Sequence, residues 1–151
     1  MVAGGLVAAA GMVLLTRITV DSSFLTLLLP AQLVLGLGLG LSFVPLASLA
    51  LVGVGNQDAG AASAVLNATQ QVGASLGTAL LNTIATTAAA SWIAEHPITD
   101  PAQVMDAAVH SYVVAFAWAA ALLLLGTALI LVLVRAGRSE VAATPPVAHV
   151  G

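Results

Sequence analysis

The stretch Gly60–Trp92, GAASAVLNATQQVGASLGTALLNTIATTAAASW, decides the fold. Its polar residues Asn67, Gln71, Ser75, Thr78, Asn82 and Thr86 recur at helical spacing. At about 100° per residue they fall within an arc of roughly 100°. The remainder is dominated by alanine, leucine, valine and glycine, so the helix belongs in a bilayer. Carboxamides and hydroxyls facing hydrocarbon would each cost several kcal/mol, so the stripe must turn toward other protein or a water-filled path. Gly73 and Gly77 lie roughly 150° around from the centre of the stripe, and Thr69 extends their small-residue row. The helix therefore has a second face on which another backbone can approach closely.

Composition agrees with that placement. Hydrophobic residues make up 60% of the 151 residues and charged residues 6%, against about 25% charged in ordinary globular domains. The mean hydropathy is +1.11. No run is long and polar enough for a water-soluble enzyme domain, so the class is an all-α polytopic membrane protein. The net charge of −3 comes from scattered residues, which leaves no electrostatic footprint for nucleic acid. Cysteine is absent, excluding disulfide frameworks, thiolate zinc sites and thiol redox chemistry.

Working outward, four transmembrane helices are expected, at about 1–16, 24–52, 60–92 and 110–134. The first is shorter than the roughly 20 residues a spanning helix needs. It reads as a truncated span whose beginning is missing, and no Lys or Arg precedes it as in a signal peptide. Pro30 suits the first turn of the second helix, where its missing N–H is not needed, and Pro45 should kink that helix toward its far end. Gly36, Gly38 and Gly40 form G-x-G-x-G inside a span, without the strand that a dinucleotide fingerprint requires. Gly36 and Gly40 are better read as a G-x-x-x-G packing pair.

Residues 53–59 form a short loop with turn-forming Asn56 and Gln57, and Asp58 is placed to cap the third helix. Residues 17–23 and 93–109 are the other two loops. The longer one is acidic, contains Pro97 and Pro101, and is expected to be irregular. Arg135 and Arg138 close the fourth helix, and 136–151 reads as a disordered tail. The positive-inside rule then puts the C-terminus in the cytoplasm, the loop 53–59 inside and the other loops outside, with Arg17 the one dissenting charge. Trp92 and Tyr112 bracket the acidic loop where an aromatic belt would sit.

No Asp, Glu, Lys or Arg falls well inside an expected span, so this segment contains no evident proton relay. His96 and His110 lack the spacing and carboxylate companions of a helical metal site, and neither a metal nor a cofactor is expected. No serine has a His and an Asp placed at membrane depth to activate it. The candidate site is therefore the row Asn67, Gln70, Gln71, Ser75, Thr78 and Asn82, either as a substrate pathway or as a helix seam.

Three stretches together resemble a known family: Leu35–Pro45 (LGLGLGLSFVP), Asp58–Ser63 (DAGAAS) and Asn67–Ala79 (NATQQVGASLGTA). They are similar to the last part of major facilitator superfamily permeases, especially the fourteen-helix drug/proton antiporters of multidrug efflux. The resemblance covers residues 1–135. It implies that the chain supplies the final four helices of such a bundle in the cell membrane, with both termini of the parent cytoplasmic. The partners implied are the lipid bilayer, the remaining helices of the parent, small hydrophobic or cationic substrates, and protons. The family's antiporter motif and embedded acidic residues belong to earlier helices, so transport by this segment alone is not expected. The alternative is a self-contained four-helix scaffold or accessory subunit without transport.

Overall fold

The computed structural model describes residues 1–96 and 100–143. Its described residues are helical, with turns between: α1 (Val2–Leu15), α2 (Leu29–Ala50), α3 (Ala59–Glu95) and α4 (Pro101–Ala143). A π-helical turn, Phe24–Leu28, leads into α2, and the Leu29 N–H reaches back to the Phe24 carbonyl. Pro30 stands in the first turn of α2 as expected. Having no N–H, it could not bond Thr26 in a continuous α-helix, and the widened turn just before it relieves that mismatch.

α1 sits between α2 and α4, and α3 packs on the far side of α4 with little contact to α2. The α1 interfaces are built from small residues. Ala8 and Ala31 are fully buried and Ala9 is 2% exposed, whereas Leu37 is 65%, Val44 70% and Leu76 66% exposed. No large side chain is fully buried among the described residues. In water this inside-out arrangement would be unstable. In lipid, where large apolar side chains gain nothing by hiding, helices associate through close backbone contact at small residues.

The close backbone approaches between α1 and α2 are at Gly4, Gly11 and Gly38. A Cβ on Gly38 would lie 2.6 Å from Ala8 Cα, and one on Gly11 would lie 2.7 Å from the Leu35 nitrogen. Gly5 meets the Thr127 side chain of α4. Ser42 secures the α1–α2 seam, its Oγ donating to Gly38 O (3.0 Å) or Met1 O (3.3 Å).

The expected packing glycines differ from these. Gly36 and Gly40 face open space, as do Gly73 and Gly77. Within this chain Gly38, the middle glycine of G-x-G-x-G, makes the approach. Positions 36 and 40 lie about 200° from position 38 in projection, so only one of the two sets can face α1.

Among the described residues two helices are long and apolar enough to cross a membrane, Phe24–Leu49 (mean hydropathy 2.0) and Pro101–Val132 (2.4). α3 has the length, at 37 residues, but its polar stripe dilutes its hydropathy. α1 has 14 residues, about 21 Å at 1.5 Å per residue.

The acidic loop expected at 93–109 is largely helical. α4 begins at Pro101, and Asp100 with Gln103 explains why. Asp100 Oδ1 accepts from Ala102 N–H at 2.9 Å while Gln103 Oε1 accepts from Asp100 N–H at 3.2 Å, a reciprocal capping box with proline at the first helical position. α4 also continues to Ala143, through part of the segment expected to be disordered. Residues 144–151 of that tail lie outside the described residues.

Candidate functional site

The candidate site lies on α3, the most exposed helix. Asn67, Gln71, Ser75, Thr78, Asn82 and Thr86 are all exposed and Gln70 is half-buried. They remain on one face because α3 runs unbroken from Ala59 to Glu95.

The stripe divides by chemistry. Ser75 Oγ donates to Gln71 O (2.9 Å), and Thr86 Oγ1 lies 3.0 Å from both Asn82 O and Thr83 O. On the neighbouring row, Thr69 Oγ1 donates to Val65 O (2.8 Å). These hydroxyls satisfy themselves on their own helix, a common arrangement in membrane segments. The carboxamides of Asn67, Gln70, Gln71 and Asn82 and the hydroxyl of Thr78 make no hydrogen bond among the described residues. A carboxamide carries two donors and two acceptor lone pairs, so these four side chains keep that capacity unused among the described residues.

Ser75, Thr78 and Asn82 line an open groove on α3. Thr78 and Asn82 also border a cavity of about 310 Å³ between α3, α4 and α1, with Met12, Tyr112 and Phe116 among its other walls. The Tyr112 and Phe116 rings stack at 6.3 Å between centroids and 23° between planes. In sequence Tyr112 reads only as a belt residue and Phe116 carries no signal, so only the packing of α4 against α3 connects them to the stripe.

Asp58 occupies the N-cap position of α3, but its side chain makes no capping hydrogen bond. Its backbone is already helical (φ −101°, ψ −5°), whereas a capping side chain usually folds back from an extended backbone. The preceding turn depends instead on Gly53, whose φ of +81° suits glycine best. The Trp92 and His96 rings stack at 4.5 Å, and His96 Nδ1 lies 3.0 Å from Trp92 O, closing the other end of α3.

No family model matches the chain, and no solved structure matches it. Curated proteins do. A puromycin resistance protein of Streptomyces alboniger is 50% identical over 131 residues, covering 85% of this chain and 26% of that protein. A cephamycin export protein of Amycolatopsis lactamdurans is 39% identical over 82 residues, 54% of this chain and 17% of that protein. A protein named "Probable actinorhodin transporter" from Streptomyces coelicolor is 41% identical over 85 residues, 54% of this chain and 15% of that protein. One of these relatives is named for resistance to an antibiotic and the other two for export or transport. The chain is homologous to one part of these proteins and spans about a quarter or less of their length.

Proposed function

We propose that this chain is the C-terminal, four-helix part of a proton-coupled multidrug efflux permease of the fourteen-helix type, acting only together with the remaining helices of its parent. The observation that carries this reading is the exposed row of unpartnered carboxamides on α3, in a chain homologous to part of known export permeases. Such groups need polar company at membrane depth, and a permease supplies it as neighbouring helices or a water-filled path.

In this reading Asn67, Gln70, Gln71, Ser75, Thr78 and Asn82 face the substrate path, and the open glycine faces of α2 and α3 receive helices of the parent. Gly36 and Gly40 serve on α2, and Gly73 and Gly77 on α3. The carried compounds are small and hydrophobic or cationic, and the coupling carboxylates lie on the parent's other helices. The parent resides in the cell membrane with its C-terminus in the cytoplasm.

The test is to extend the reading frame upstream and to express the complete protein and residues 1–151 side by side in a drug-sensitive host. The complete protein should lower puromycin accumulation, a protonophore should abolish that effect, and residues 1–151 alone should have none. Equal accumulation with and without the complete protein would overturn the export reading. Efflux that survives the protonophore would overturn the coupling.

A further inference from the structure

The cavity between α3, α4 and α1 differs along its length. At one end Asn82 and Thr78 offer hydrogen-bonding groups that no described residue uses, beside the stacked Tyr112 and Phe116 rings. Met12, Leu81 and Ala119 then form a wall shared with a second cavity of about 310 Å³, which extends the space past Leu35 and Leu39 of α2. Together these are of drug-site size and mostly apolar, with a few convergent polar groups.

We propose that this composite cavity is a binding subsite for a neutral, planar aromatic compound carrying a hydrogen-bonding edge. The ring lies against Tyr112 and Phe116, its polar edge meets the Asn82 carboxamide and the Thr78 hydroxyl, and any apolar extension runs toward Leu39. A carboxamide both donates and accepts, so it can serve an amide, a quinone or a heterocyclic edge. No charged side chain lines either cavity. A cation entering would lose hydration without a counter-charge, so neutral ligands are favoured. This inference rests on the export reading and narrows its substrate class at the space between α3, α4 and α1.

The test uses the complete parent transporter in lipid nanodiscs and three fluorescent probes of similar ring size: anthracene, anthracene carboxamide and N-methylacridinium. Anthracene carboxamide should bind most tightly. Asn82→Leu should weaken it by about three- to tenfold, the effect of one lost neutral hydrogen bond, and leave anthracene unchanged. Phe116→Ala should weaken both. Thr78→Val, close in shape to the native residue, should give a smaller loss of the same selectivity and decides the matter if Asn82→Leu fails to accumulate. Equal weakening of anthracene and its carboxamide, no weakening of either, or tighter binding of the acridinium would overturn the subsite. Puromycin efflux by the same preparations is measured separately. Absent efflux with probe selectivity intact would overturn transport and leave the subsite standing, while intact efflux with selectivity unmoved would overturn the subsite alone.

Discussion

Gly38 of α2 and Ala8 of α1 meet backbone to backbone, so that a methyl group on Gly38 would come within 2.6 Å of the Ala8 Cα. Neither helix can yield locally, because Gly4 and Gly11 of α1 are held as closely against α2 by their own contacts.

Gly38→Ala should therefore destabilise the α1–α2 pair by about 1–3 kcal/mol, the usual cost of overpacking. Gly36→Ala and Gly40→Ala, with nothing near either position, should be neutral or slightly stabilising in the isolated chain. Thermal unfolding of the three variants in detergent checks the order, and a Gly36 variant as damaging as the Gly38 variant would reverse the assignment of faces.

On α3, a different contrast is expected. Gly73→Leu and Gly77→Leu should leave residues 1–151 as stable as before, since both positions are open, yet lower the folded amount of the complete transporter. Fluorescence-detected size exclusion of both forms measures this. Unchanged levels in the complete protein would mean that no helix packs on that face.

At the start of α4, Asp100→Ala removes the acceptor for Ala102 N–H and should cost about 0.5–2 kcal/mol locally. Amide hydrogen exchange should rise over the first turns of α4 and stay the same beyond Tyr112. Uniform protection would show that the cap contributes nothing.

Placing a cysteine at the same position tests the proposed topology, in which the Arg135 and Arg138 flank is cytoplasmic and Asp100 is outside. An impermeant thiol reagent should label Asp100→Cys in intact cells. Labelling only after lysis would invert the orientation.

The polar stripe yields a prediction about transport itself. Asn67→Ala, Gln71→Ala and Asn82→Ala in the complete transporter should shift relative resistance among substrates at constant protein level if these side chains line the path. Interhelical bonds worth about 0.6 kcal/mol each would instead lower abundance modestly and affect every substrate alike. Resistance profiles normalised to membrane protein separate these outcomes.

The membrane class and the stripe were legible because composition and a 3.6-residue period are properties of the chain itself. The division within the stripe was not. Ser75 and Thr86 look as polar in sequence as Asn82, and only the helical carbonyls beside them reveal that their donors are already used. Which glycines pack within this chain was hidden for a related reason. A G-x-x-x-G spacing states that a close approach is possible, while the partner helix determines which glycine is approached, and α1 meets Gly38. Its own counterpart, Gly4 with Ala8, was written in the sequence at the same four-residue spacing but lay within a helix read mainly for its length. The early start of α4 was hidden by reading Pro101 as a breaker when Asp100 and Gln103 make it a beginning.

The contact of Gly5 with Thr127 joins the first turns of α1 to the middle of α4. Among these four helices, the partner that Gly5 meets is made last, because Thr127 follows α1, α2 and α3 in the chain. The small-residue surface that later admits α4 must wait beside lipid or other proteins. Assembly of these four helices is consequently completed by the last to arrive, and a chain cut before Thr127 would leave Gly5 without its α4 partner.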